Sequence, residues 1–214
     1  RCTSSAASDV YKRQVYCWNN KNNIKGNCLN FFLKIFKILP PEIAHIVSLN
    51  SLNLLYKLNI LRFVFKKRDN QKEFVFLGMR LDNKLGTAAG LDKNGDFIDA
   101  LGELGFGFLE VGTVTPLPQY GNPKPRVFRN YKDNSIINRL GFNNKGVDYL
   151  VTNLKNRKYK GIVGVNVGAN KSSKGSDRIK DYLFCIEKVH KYAEFITINI
   201  SSPNTPDLRN FHAK

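Results

Sequence analysis

The segment Thr197-Ile-Asn-Ile-Ser-Ser-Pro-Asn-Thr-Pro206 gathers hydroxyls and amides at the end of an alternating apolar run, Phe195-Ile-Thr-Ile-Asn-Ile200. In α/β enzymes, strand ends carrying polar side chains are where chemistry sits. Pro203 and Pro206 turn Ser202 and Thr205 away from helical backbone, so Ser202 and Asn204 are expected on a stiff turn at the mouth of a sheet. A serine there accepts a proton only with help, for instance through water to Thr205. Asn138, Asn143, Asn199 and Asn204 each offer a donor and an acceptor. Such a set suits a ring of alternating C=O and N–H groups, such as a pyrimidine. Lys93 and Arg139 can hold a carboxylate. No acidic pair or metal-ligand cluster stands out, so no metal is assigned. Asparagine is abundant throughout, and taken alone this loop reads first as an ordinary polar βα connection.

These residues need a scaffold, and the pattern supplies one. Phe74-Val-Phe-Leu77, Gly78 and Met79-Arg-Leu81 predict a small hairpin. A strand at Leu85–Gly90, a helix through Asp99–Leu104 and a strand at Gly107–Gly112 follow. After a Pro-rich loop from Thr115 to Pro125 come a helix beyond Asn144, a strand at Gly161–Gly168, a helix over Asp177–Tyr192 and the Phe195–Ile200 strand. This alternation implies parallel strands with right-handed crossovers, in a doubly wound sheet or a (β/α)8 barrel. Asp92, Lys93, Thr113, Thr115, Asn166, Asn199 and Ser202 all fall at C-terminal strand ends, which favours the barrel. No GxGxxG opens a helix after a strand, which weighs against a dinucleotide fold. Such a barrel takes about 250 residues, so the stretch from 69 to 214 is expected to be its first half, in a truncated chain.

The N-terminal region reads differently. Residues 1–14 lack periodicity and resemble a non-native leader. Residues 15–68 carry two apolar helical patterns broken at Pro40-Pro41. The first, from Cys28 to Leu39, shows a narrow polar stripe at Asn30, Lys34 and Lys37. The second carries Ile43, Ile46, Val47, Leu49, Leu52, Leu55, Leu58 and Leu61. Neither matches the ~20 apolar residues of a spanning helix. Periodicity leaves a helical hairpin packed on the core and a pair lying in a membrane interface about equal.

The 214 residues carry 34 Lys+Arg against 17 Asp+Glu, a net charge of +17. The basic residues are scattered among Asn, Ile and Phe and match no nucleic-acid-binding motif, so no nucleic-acid partner is assigned. Cys2, Cys17, Cys28 and Cys185 show no CxxC spacing, and Cys185 is expected in the core.

Several long motifs resemble those of the class 2, quinone-dependent dihydroorotate dehydrogenases. They are Ala88-Ala-Gly-Leu-Asp-Lys-Asn-Gly95, Glu110-Val-Gly-Thr-Val-Thr-Pro116, Gly121-Asn-Pro-Lys-Pro-Arg126, Ile137-Asn-Arg-Leu-Gly-Phe-Asn-Asn144, Gly164-Val-Asn-Val-Gly168 and Ile198-Asn-Ile-Ser-Ser-Pro-Asn-Thr-Pro206. Their order and spacing match in register.

The resemblance implies an FMN-binding (β/α)8 TIM barrel preceded by a membrane-associating helical hairpin. Ala89, Gly90, Leu91, Asp92, Lys93, Thr113, Asn166 and Asn199 would bind the flavin. Lys93, Asn138, Arg139, Leu140, Gly141, Phe142, Asn199 and Asn204 would bind dihydroorotate or orotate, and Ser202 would be the catalytic base. Serine at 202 and the N-terminal helices are similar to the quinone-using class, which implies peripheral attachment and resolves the tie above. The bacterial form points to the cytoplasmic face of the inner membrane, with the mitochondrial inner membrane as the alternative. A soluble flavin barrel using fumarate or a pyridine nucleotide, and an inactive truncated product, are the competing expectations.

Overall fold

The computed structural model describes residues 36–65, 74–133 and 135–202. The chain divides into two compact units, Arg1–His45 and Ile46–Lys214. The boundary falls inside helix α1 (Pro41–Lys57). Of the first unit, the described part is the helical end at 36–38 and the start of α1, where Ala44 N donates to Pro40 O at 2.9 Å. The expected helix from Cys28 therefore lies largely outside the described residues, as do the leader and Asn204.

In α1, proline takes the first turn, where its missing N–H costs nothing. Glu42 and Lys57 sit at the ends that complement the helix dipole. Leu49 is buried in the core of the second unit and Leu52 packs beside it, while Ile46, Val47, Leu54, Leu55 and Leu58 stay exposed. Helix α2 (Leu61–Val64) follows. Strands β1 (Phe74–Phe76) and β2 (Met79–Leu81) form the expected antiparallel hairpin, pairing Phe74 with Leu81. Both turn residues, Leu77 and Gly78, have positive φ (49° and 78°), as a tight two-residue hairpin requires.

After this come α3 (Ile98–Gly102), β3 (Phe108–Val114), β4 (Val127–Asn130), β5 (Ser135–Asn138), α4 (Val147–Asn156), β6 (Ile162–Val167), α5 (Ser176–Val189) and β7 (Phe195–Ile198). Strands β3, β6 and β7 form a parallel sheet in that order. Leu109, Val111, Val114, Val163, Val165 and Val167 are all essentially inaccessible. That near-continuous burial is the mark of a parallel sheet covered on both faces. Helix α4 contributes Val147, Leu150, Val151 and Leu154, an i, i+3, i+4, i+7 stripe, and α5 contributes Tyr182, Cys185 and Val189. Each such aliphatic side chain stabilises the fold by roughly 1.5–3 kcal/mol. At the sheet's centre Gly164 has no side chain, so the Phe195 ring occupies the space a Cβ would need. Phe195 then meets Phe108 edge-on at 6.1 Å.

Three differences from the sequence expectation have local causes. Leu85–Gly90 makes a single parallel bridge, Gly86 to Phe108, instead of a strand. The chain leaves the sheet there because Gly90, at φ 103°, turns it into the Asp92 loop. Helix α3 stops at Gly102 instead of Leu104, and Gly105 has φ 82°. The antiparallel pair β4–β5 arises in a stretch to which the sequence pattern assigned no element, where Arg129, Asn130, Lys132 and Asp133 mask the alternation. The described part is an α/β fold with a three-stranded parallel sheet.

Candidate active site

The C-terminal ends of the three parallel strands meet in a triangle of polar side chains. Thr113 Oγ1 on β3 donates to Asn166 Oδ1 on β6 at 2.6 Å. Asn199, one residue past β7, donates through Nδ2 to both Thr113 Oγ1 and Asn166 Oδ1 at 3.1 Å. Asn166 Nδ2 in turn donates to Glu110 Oε1 at 2.8 Å. The register explains the meeting: Asn166 is paired with Gly112 on one side and Thr197 on the other. Ser201 N donates to Asn199 Oδ1 at 3.3 Å. Ser202 follows three residues after Asn199 and is half-buried.

The loop of residues 88–97 is sewn to the same edge. Gly90 N donates to Gly112 O at 2.8 Å and Gly112 N to Asp92 O at 2.9 Å. Asp92 is buried, and its carboxylate accepts the backbone N–H groups of Asn94, Asp96 and Phe97 at 3.3, 3.0 and 2.7 Å. Burial pushes its carboxyl above the usual value, against the lowering effect of those hydrogen bonds. The Asp92 side chain thus shapes the loop that presents Ala89, Gly90, Leu91 and Lys93. A second tie runs outward: Tyr149 Oη donates to Asp96 Oδ1 at 2.7 Å, while Lys145 Nζ donates to Tyr149 Oη at 2.9 Å and Asp96 Oδ2 at 3.3 Å. Burial alone would lower the Lys145 ammonium, but the Tyr149 hydrogen bond and the Asp96 charge raise it.

Beyond the strand ends lies a second polar layer. Asn170 is buried; its Nδ2 reaches Thr115 Oγ1, Leu117 O and Gln119 Oε1 at 3.1, 2.9 and 3.0 Å, and its Oδ1 accepts from Leu117 N at 3.0 Å. Asn144 Nδ2 donates to Thr115 Oγ1 and Phe142 O at 2.8 and 2.7 Å. Gln119 pairs through its backbone with Asn144 and donates through Nε2 to Gly141 O at 3.1 Å. Residues 138–142 are thereby pinned. Asn138 and Arg139 are exposed, Leu140 is half-buried and Phe142 is buried at φ 53°.

A pocket of about 530 Å³ opens between these loops, lined by Lys93, Gln119, Tyr120, Arg126, Asn143 and Lys145 among others. Three of those side chains are cationic, which suits an anionic ligand. The Arg139 guanidinium donates to Pro125 O at 2.9 Å, whereas Arg126, only 6% exposed, lines the pocket. The structure thus brings together Thr113, Asn166 and Asn199 of the sequence reading and sets Lys93 at the pocket, and it joins to them Glu110, Arg126, Asn144 and Asn170, which that reading did not assign to the site. Only the position of Asn170, four residues past Asn166 and just beyond a strand end, signalled it.

Parallel strands ending in interlocked amides and a hydroxyl, with a cationic pocket lined by the connecting loops, define an α/β protein with a candidate binding site. The family model described as dihydroorotate dehydrogenase matches residues 72–214, and the chain belongs to that family. It is 57% identical over 176 residues to a dihydroorotate dehydrogenase (quinone) of Buchnera aphidicola, covering 82% of this chain and 52% of the relative. It is 53% identical over 172 residues to a protein of the same name from Marinobacter nauticus, covering 80% and 50%. Among solved structures, that of DHODH from Eimeria tenella in complex with ferulenol matches with a TM-score of 0.65 at 34% identity, covering 80% of this chain and 46% of that one. The chain spans about half the length of the curated relatives it matches.

Proposed function

We propose that this chain is the N-terminal part of a quinone-dependent dihydroorotate dehydrogenase. In this reading it supplies half of a (β/α)8 barrel that oxidises dihydroorotate to orotate in pyrimidine synthesis. The observation that carries the reading is the Thr113–Asn166–Asn199 triangle at the ends of three adjacent parallel strands, within a chain of that family. The residues present fit FMN. The triangle offers donors and acceptors to a heteroaromatic edge, and Gly90 has no atom within 4 Å of where a side chain would start, which leaves room for a flat ring. Thr113, Asn166, Asn199 and the 89–93 loop would hold it. Bound there, FMN would supply the two-electron acceptor that passes reducing equivalents on to a quinone.

The chain's own residues do the rest. Lys93 draws the substrate carboxylate into the pocket, and the amides of Asn138, Asn199 and Asn204 orient the pyrimidine ring. Leu140, Gly141 and Phe142 close over it with Arg139 at the loop's edge. Ser202 takes the proton from substrate C5. Holding base and ring in one geometry is where most of the rate enhancement originates. The exposed apolar side chains of α1 favour peripheral contact with a membrane, on the cytoplasmic face of a bacterial inner membrane. Among the described residues no helix is long and apolar enough to cross one. In this reading residues 15–68 form the quinone-access region, residues 69–214 begin the barrel and residues 1–14 are a leader.

The test is Ser202→Ala in the full-length protein, followed by stopped-flow absorbance. Reduction of bound flavin by dihydroorotate should slow by at least about 100-fold with flavin content unchanged. An unaltered rate would remove Ser202 from the mechanism, and a colourless wild-type protein would remove the reading.

A further inference from the structure

The outer polar layer is built for a purpose the triangle does not need. Asn170 is 6% exposed, lies three residues past β6, and commits its whole amide to residues 115–119. Its backbone N–H donates to Asp181 Oδ2 on α5 at 2.9 Å. The side chain is therefore fixed from the helix layer on one side while it grips the loop on the other. Gln119 is the next link. Its Oε1 accepts from Asn170 Nδ2 and from Lys171 N at 3.1 Å, and its Nε2 donates to Gly141 O. The amide of Gln119 has one O and one NH₂ group, so anchoring the oxygen at Asn170 orients the nitrogen toward Gly141. Gly141 has φ 71°, and a Cβ there would lie 2.9 Å from the Asn122 amide, so the loop has little freedom to compensate.

We infer that Asn170 is a positioning residue for the 138–142 loop, acting through the pocket-lining Gln119 to fix the position of the Gly141 carbonyl. This rests on the reading that the loop closes on a pyrimidine carboxylate. Asn170 does not touch the ligand. It sets where the loop's backbone stands when the ligand arrives, so its loss should appear in substrate affinity before it appears in flavin content.

The experiment uses the full-length protein and its Asn170→Asp, Gln119→Leu and doubly substituted forms, with orotate as the probe. Asn170→Asp keeps the shape but turns the donor into an acceptor facing three acceptors. Orotate dissociation constant and dihydroorotate KM should rise on the order of tenfold, more than kcat falls, with flavin content retained. Gln119→Leu should act in the same direction. The double form should be no worse than Asn170→Asp alone, because both act through one chain of contacts. Unchanged orotate affinity in folded variants would overturn the inference, and so would additive losses. Should Asn170→Asp fail to fold, Gln119→Leu decides alone, since Gln119 lies in a partly exposed loop. A wild-type protein that does not bind orotate would instead sink the functional reading itself.

Discussion

Asn199 Nδ2 stands 3.1 Å from Thr113 Oγ1, although 86 residues separate the two in sequence. The contact crosses the sheet from β7 to β3 over Asn166, so it exists only when all three strands are in register. It ties the candidate site to the correctness of the fold.

Asn166→Leu should therefore damage both. It leaves the Thr113 hydroxyl and the Asn199 amide without their shared acceptor. Buried groups left unsatisfied cost about 1–3 kcal/mol. Chemical denaturation should show a loss in that range, and the purified full-length protein should carry less flavin. A variant as stable and as yellow as the parent would contradict the proposed role.

Asp92 gives a pH signature. Its folded-state pKa is raised above 3.8, chiefly by burial. The folded state thus holds the proton more tightly than the unfolded chain. The stability this group contributes is full below about pH 3.8 and is lost as pH rises through the elevated value. Asp92→Ala should remove that dependence, and it should destabilise the protein at neutral pH by about 1–3 kcal/mol by orphaning three backbone N–H groups. Denaturation midpoints of both proteins across that window provide the check.

Cys185 is fully buried and its thiol is pushed up to about 12 by desolvation and the nearby Asp181 and Asp148 carboxylates. Thiolate is the reactive form, so Cys185 should resist iodoacetamide at pH 8 in the folded protein and react once unfolded. Peptide mapping by mass spectrometry separates it from the other cysteines. With a folded pKa above the usual 9.0, this thiol's stabilising contribution is full below about pH 9 and falls as pH climbs toward 12.

Gly112 has φ 112°, and a Cβ there would collide with the Asn166 carbonyl. Gly112→Ala should cost more than about 2 kcal/mol and reduce soluble yield. Gly105, also at positive φ with nothing within 4 Å, should lose only about 1–2 kcal/mol on the same change. Thermal melts of the two variants would rank them.

Much of this architecture was legible in the chain. The Val/Ile run of β6 and the i, i+3, i+4, i+7 stripe of α4 announce themselves, because burial on a sheet or helix face imposes a period on the residues. Thr113, Asn166, Asn199 and Lys93 stood out for a related reason: they are polar residues at or just past the ends of apolar runs, where a core role does not account for them. Contacts between loops leave no such period. Nothing in the sequence joins Asn170 to Gln119, turns Arg139 onto the Pro125 carbonyl, or brings the Arg126 guanidinium to the pocket. The β4–β5 pair was hidden because its apolar residues Phe128, Ile136 and Ile137 are exposed, so no core-facing alternation marks it, and its turn carries the charges. Local spacing thus determined the elements and the order of the polar ends. Which amide donates to which oxygen depends on strand register and loop packing, and only the tertiary structure decided that.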